Sequence, residues 1–280
     1  RTKSMVTGVL TAIIVGYIGL VGIIYVGQRG LMYHPGGPIG PPATYGVGEM
    51  AELPLENNAG HPLMSWYAAP QPDQPVLVFF QGNAGSIGDR AEKIRPYLNA
   101  GFGVILAGYR GFGGNPGSPS EAGLYNDAAT VLTHLKAIGI PPERWVIYGE
   151  SLGTGVATEM AHRYAVADAP VGAVVLEAPF TSMGDVAAVH YPYIPTRRLV
   201  CDKFDSITKI DAINTPLMII HGAADRTVPQ KLGRRLFDKA KKPKSSLWLE
   251  KPGHNDLYDF GAATHIIRFA RLNVDQRSLI

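Results

Sequence analysis

The chain predicts an α/β fold in which a mostly parallel sheet carries helices on both faces. Three observations point there. Short apolar runs recur at residues 76–80, 103–107, 144–148, 173–177, 217–221 and 246–250. Runs that are apolar throughout, without alternation, read as strands buried on both faces. Helical stretches lie between them, near residues 86–100, 119–138, 151–164, 230–240 and 255–272. Strand and helix alternating at this spacing imply parallel strands joined by crossover helices. The third observation is the pentapeptide Gly149-Glu150-Ser151-Leu152-Gly153, set between a strand and a helix whose early turns are small (Gly153, Thr154, Gly155, Ala157). That turn brings the serine to the carboxyl edge of the sheet.

Taken in order, the chain opens on a segment that belongs to no sheet. Residues 5–26 carry no charge; as a helix they span about 33 Å, against roughly 30 Å of bilayer hydrocarbon. The run is longer than a secretory signal's apolar region and has no small-x-small cleavage site, so it reads as an uncleaved signal-anchor. Arg1 and Lys3 before it, with Arg29 after it, favour a cytoplasmic N-terminus and a catalytic domain on the non-cytoplasmic side. Gly8, Ala12 and Gly16 form a stripe of small residues, and such stripes let membrane helices approach closely; a homo-oligomer, most simply a dimer, is the expectation. Residues 29–48 are rich in Gly and Pro and read as an extended linker. The resulting division is an anchor at 1–28, a linker at 29–50 and a catalytic domain at 51–280. Antiparallel strands at 51–56 and 62–69 should open that domain, joined by Asn57-Asn58-Ala59-Gly60. Ser118-Pro119-Ser120-Glu121 marks a helix start, with Ser118 as cap and Glu121 three residues on. The connection 178–215 is too short for a full helical cap, so the site should be only partly covered.

Composition removes several classes. A net charge of +3 argues against nucleic acid as a main partner. One cysteine, Cys201, cannot form an intrachain disulfide. The eight histidines include no His-Glu-x-x-His and no Cys/His set at zinc spacing, so neither metal nor cofactor is expected. The basic run 239–244 ends a helix and reads as a solvated terminus. An apolar content of 46% is enough for a large core.

What remains is a hydrolytic constellation. A serine hydroxyl attacks only when a base removes its proton, and a buried carboxylate must orient that base. Gly-x-Ser-x-Gly between strand and helix is the nucleophile elbow, with partners following in the order serine, acid, histidine on loops after strands. Asp225 follows the run 217–221, and His254 follows 246–250. Asp256 is the rival acid, but its place two residues after His254 suits a first helical turn. Glu150 should turn away from the site and act structurally. Two N–H donors are needed for the oxyanion. Leu152 supplies one; the other comes from Gln81-Gly82-Asn83-Ala84-Gly85, with Asn83 as donor through its backbone and Ala84 in reserve.

These residues resemble the membrane-anchored abhydrolase-domain (ABHD) branch of the serine α/β-hydrolases. The matching stretches begin with Gln28-Arg29-Gly30-Leu31-Met32-Tyr33-His34-Pro35 and the loop starting at Gln81. They continue through Tyr109-Arg110-Gly111-Phe112-Gly113, the segment from Gly117 to Glu121, the elbow, and Glu177-Ala178-Pro179-Phe180-Thr181-Ser182. Tyr191-Pro192-Tyr193 with Phe204-Asp205-Ser206, then the Asp225 and His254 segments, complete a match over nearly the whole chain. The resemblance implies an α/β-hydrolase fold and hydrolysis of acyl esters or thioesters, with lysophospholipid, acylglycerol and palmitoyl-protein substrates among relatives. Relatives usually carry His where this chain has Gln81; Gln81 can still hydrogen-bond and hold the loop, and is expected near substrate. Tyr191 and Tyr193 should form an apolar lip for a lipid or acylated substrate. The competing functions are a small-ester carboxylesterase, a serine peptidase, whose usual extra domain is absent, and a non-catalytic membrane scaffold, which the triad order disfavours.

Overall fold

The computed structural model describes residues 2–58 and 60–274. Arg1, counted in the charge flanking the anchor, Ala59, in the first expected turn, and residues 275–280 lie outside the described residues. Helix α1 (Thr2–Met32) is followed by a two-residue strand β1 (His34–Pro35), then the antiparallel pair β2 (Ala51–Glu56) and β3 (Pro62–Ala68). Next come β4 (Val76–Phe80), the short β5 (Ala84–Gly85), α2 (Ala91–Asn99), β6 (Gly103–Leu106) and α3 (Glu121–Ala137). The second half runs β7 (Trp145–Glu150), α4 (Gly153–Val166), β8 (Ala173–Glu177), α5 (Met183–His190), α6 (Thr196–Leu199), β9 (Leu217–Gly222), α7 (Gln230–Lys239), β10 (Lys244–Leu249) and α8 (Ala262–Val274).

Eight strands form one sheet in the order β10-β9-β8-β7-β4-β6-β3-β2. Pairing is parallel from β10 to β6, and β3 and β2 continue it antiparallel. Every residue of β4, β6, β8 and β9 is buried, including the polar Glu177 and His221 at the ends of β8 and β9. Alternate residues feed opposite faces: Val76, Val78 and Phe80 pack with α3, α4 and α7, whereas Leu77 and Phe79 pack with α2 and α8. Strand β10 differs from the buried strand expected. It is half-buried, because it forms an edge of the sheet.

Two other expectations are corrected. The segment expected as an extended linker is fastened down. Arg29–Met32 continue α1, and β1 pairs in parallel with β5, matching His34 to Ala84 and Pro35 to Gly85. Tyr33 and Arg29 both donate to the buried Asp202 carboxylate, and Tyr33, Val47 and Met50 are core residues. Apolar side chains spaced through the Gly/Pro-rich stretch drive this docking. At α3 the cap is Ser120, not Ser118: the extended Ser120 accepts from the Gly123 N–H at 3.1 Å. Glu121 is thereby the first helical residue and turns to Tyr125 and the Lys203 N–H. The basic run keeps its expected place, with Lys239 ending α7 and Lys244 Nζ donating to the Phe237 and Asp238 carbonyls.

Candidate active site

The elbow is built by crowding. A Cβ at position 149 would lie 2.5 Å from the Gly153 carbonyl oxygen, and one at 153 would lie 2.0 Å from the Phe80 carbonyl oxygen. Only glycine fits either place, so β7 and α4 meet in a turn too tight for a relaxed backbone. Ser151 takes the strain, with φ at +50° in the left-handed region. Its N–H donates to the Glu177 carbonyl at 2.9 Å, and its carbonyl accepts from Thr154 Oγ1 at 2.6 Å, so the strained residue is held from both sides.

The three residues singled out as catalytic lie together. Ser151 Oγ is 2.8 Å from His254 Nε2, and His254 Nδ1 is 2.7 Å from Asp225 Oδ2. A carboxylate only accepts, so Nδ1 carries the proton and Nε2 presents its lone pair to the serine hydroxyl. Asp225 Oδ1 accepts from the N–H groups of Thr227 and Val228 at 2.9 and 2.8 Å, which fixes the carboxylate plane. Burial pushes the Asp225 carboxyl up, but hydrogen bonds from His221 and His254 and from the backbone hold it well below the usual carboxylate range.

His221 is a partner that sequence reasoning missed. It is fully buried at the end of β9, with Nε2 2.8 Å from the Val228 carbonyl and 3.3 Å from Asp225 Oδ2. The carbonyl can only accept, so Nε2–H is a donor directed at the acid's side. The signal in the sequence was its place four residues before Asp225, immediately after an apolar strand.

The oxyanion loop approaches the elbow closely: a Cβ on Gly82 would stand 3.5 Å from Ser151 Cβ. Leu152 is buried at the amino end of α4, where N–H groups have no helical acceptor. Asn83 is held by the end of α1 and the residues after it. Its side-chain amide donates to the Met32 carbonyl at 2.7 Å, and its carbonyl accepts from the His34 N–H at 2.8 Å. Its own N–H is the group these bonds leave over. Glu150 turns away from the nucleophile, as expected, and takes Arg90 Nε at 2.9 Å, Lys93 Nζ at 3.0 Å and the Gly82 N–H at 3.4 Å. Lys93 also reaches Glu177 at 2.9 Å, and Glu177 accepts from the Tyr148 hydroxyl. Burial pushes the Glu150 carboxyl up, yet Lys93 and Arg90 overcome it and hold it at about 2.

The remaining expectations fare differently. Gln81 is 1% exposed, lines a small cavity with Met64, Tyr109 and Asn115, and neither amide atom has a hydrogen-bond partner. A side chain so enclosed packs beneath the loop. Tyr191 and Tyr193 are 42% and 87% exposed. The Tyr193 carbonyl accepts from Tyr17 of α1 at 2.7 Å, so the expected lip stands against α1. A cavity of about 740 Å³ lies between α5, α6 and α7, away from the triad side chains. Asp256 Oδ1 is buried and has no hydrogen-bond partner among the described residues. Among the described residues, no group of three or more His, Cys, Asp or Glu side chains could hold a metal ion.

The sheet order, the elbow at the carboxyl edge and the serine–histidine–aspartate arrangement define an α/β hydrolase. The alpha/beta hydrolase fold family matches residues 75–199. An uncharacterized protein of Mycobacterium tuberculosis is 38% identical over 242 residues, covering 85% of this chain and 84% of that protein. The chain therefore belongs to the α/β-hydrolase fold family, with relatives in its abhydrolase-domain branch. Among these, the lysophosphatidylserine lipase ABHD12 of Danio rerio is 34% identical over 196 residues, 64% of this chain and 51% of that protein. An α/β hydrolase from Vibrio vulnificus superposes with a TM-score of 0.68 at 24% identity, covering 79% of this chain and 81% of that one.

Proposed function

We propose that this chain is a membrane-anchored serine hydrolase that cleaves acyl esters or thioesters through an acyl-enzyme. The observation that carries the reading is the continuous chain from Ser151 Oγ through His254 to Asp225, with hydrogen-bond distances of 2.8 and 2.7 Å. As Oγ attacks the acyl carbonyl, its proton passes to His254 Nε2, and Asp225 stabilises the imidazolium without accepting the proton. The carbonyl oxygen gains the negative charge and is met by the N–H groups of Leu152 and Asn83. Collapse expels the alcohol or thiol, which takes the proton from His254. Water then repeats the sequence on the acyl-enzyme and releases the acid and the free serine.

The substrate we infer carries a medium or long acyl chain, of lysophospholipid, acylglycerol or acyl-protein type, and is met at the membrane surface. Two observations support this. A relative is named as a lysophosphatidylserine lipase, and α1 is an apolar helix of membrane-spanning length. In this reading residues 1–28 form the anchor, 29–50 join it to the body, and the catalytic domain begins at residue 51. The flanking charges favour the non-cytoplasmic side for that domain. A chain-length series of p-nitrophenyl esters, together with a lysophospholipid panel, tests the substrate class. Turnover should rise with chain length and include lysophospholipid; preference for acetate without lipid turnover would leave a small-ester carboxylesterase.

A further inference from the structure

We propose that the groove between α5, α6 and α7 binds the phosphate headgroup of an anionic phospholipid drawn from the bilayer that holds α1. The groove, about 740 Å³, carries four cations, Arg197, Arg198, Lys231 and Arg235, and a single carboxylate, Asp185. Asp185 is already taken: Arg197 Nε lies 2.5 Å from it, Arg235 3.6 Å, and Thr181 donates at 2.5 Å. Arg198 and Lys231 are exposed and make no ion pair among the described residues. Their charge is open to a ligand. Val189, Pro192, Ile194 and Leu232 line the same groove and give it an apolar wall. Cations beside an apolar wall suit a phosphate carrying hydrocarbon better than a water-borne anion.

Helix α1 serves as a depth gauge for this corner. Tyr17 Oη donates to the Tyr193 carbonyl at 2.7 Å, and Gln28 Nε2 donates to the Leu199 carbonyl at 3.4 Å. Gln28 Oε1 also accepts from the Cys201 N–H at 2.8 Å. Tyr17 and Gln28 are about 16 Å apart along a helix at 1.5 Å per residue. The chain from Tyr193 to Leu199 therefore climbs α1 from within its uncharged stretch to its polar end. Tyr193 lies at hydrocarbon depth, beside the exposed Val189 and Tyr191. Arg197 and Arg198, just before Leu199, arrive level with Gln28 and Arg29, where headgroups sit. Arginine at the polar boundary, with its stem on apolar surface and its charge in water, is the distribution a bilayer selects.

The inference rests on α1 spanning the membrane, and the experiment separates the two claims. The full chain is reconstituted in phosphatidylcholine nanodiscs containing a trace of spin-labelled phosphatidylglycerol or phosphatidylcholine, and the immobilised fraction is measured. Phosphatidylglycerol should be retained preferentially. The double substitution Arg198→Gln/Lys231→Gln should cut that preference about tenfold or more, as expected for two cations removed from an anionic surface. The distant pair Lys241→Gln/Lys242→Gln should leave it unchanged. Equal retention of the two lipids, or a preference that survives the first pair of substitutions, overturns the proposal. So does displacement of the labelled lipid by inorganic phosphate, which would reveal a soluble-anion site. A chain released from membranes by alkaline carbonate sinks the anchor and the groove together; a chain that stays integral but shows no lipid preference sinks only the groove.

Discussion

Asp225 illustrates how much of this site is settled by single side chains. Two backbone N–H groups and two histidines surround its carboxylate, so it remains ionised through the working pH range. Asp225→Asn keeps the shape but offers His254 the wrong hydrogen-bonding partner, and kcat should fall about 10³–10⁴-fold with the fold intact by circular dichroism. Glu150 gives a test of a different kind. Its folded pKa of about 2 lies below the ordinary 4.5. A depressed carboxylate adds stability that is complete above the ordinary value and disappears as pH falls toward the folded one. Melting temperature should therefore drop between about pH 4.5 and pH 2, the window set by that shift. Lys93→Met should cost about 3–5 kcal/mol in denaturant titrations, because it leaves the buried Glu177 without a cation while Glu150 keeps only Arg90. At this scale the sequence was partly legible. Ser151, Asp225 and His254 could be read because each sits just past an apolar strand, in an order the fold imposes. Lys93 could not be read, since its partners arrive through the register that sets Glu150 beside Glu177, and His221 was missed because it sits inside the apolar run that ends four residues before Asp225.

Among elements, the eight-stranded sheet was legible because its central strands open on unbroken apolar runs and turn polar only at their carboxyl ends. The cap of α3 was misplaced by two residues because Ser118 and Ser120 carry the same chemistry, and only backbone geometry separates them. Ser120→Ala should lower stability by about 0.5–2 kcal/mol, whereas Ser118→Ala should not, a contrast readable in paired thermal melts. The segment after α1 was the larger surprise. Gly and Pro suggested a tether, yet β1 pairs with the oxyanion loop and Met32 receives the Asn83 amide. We therefore expect Asn83→Ala to reduce kcat about ten- to a hundredfold with little change in KM, since the backbone donor remains but its positioning loosens. A change confined to KM would show that Asn83 serves substrate binding instead.

For the whole molecule, the polar end of α1 is fastened to the 81–85 loop through Asn83 and to the segment after α6 through Asp202 and Cys201. A Cβ added at Gly8 or Gly16 would meet nothing within 4 Å, so the small-residue stripe is not covered by the chain's own body. We expect a dimer in mild detergent that Gly16→Leu weakens, observable by mass measurement; a monomer throughout would refute association through this face. The central claim, a nucleophilic Ser151 activated by His254, is tested most directly by covalent capture. The full chain in detergent, its Ser151→Ala and its His254→Ala variants are treated with a fluorophosphonate, then analysed by intact mass and peptide mapping. One adduct is expected, on Ser151, absent in Ser151→Ala and slowed by orders of magnitude in His254→Ala. Ester turnover should fall in parallel, by about three to six orders of magnitude. An unmodified Ser151, or a Ser151→Ala chain that still turns over ester at the full rate, would contradict it.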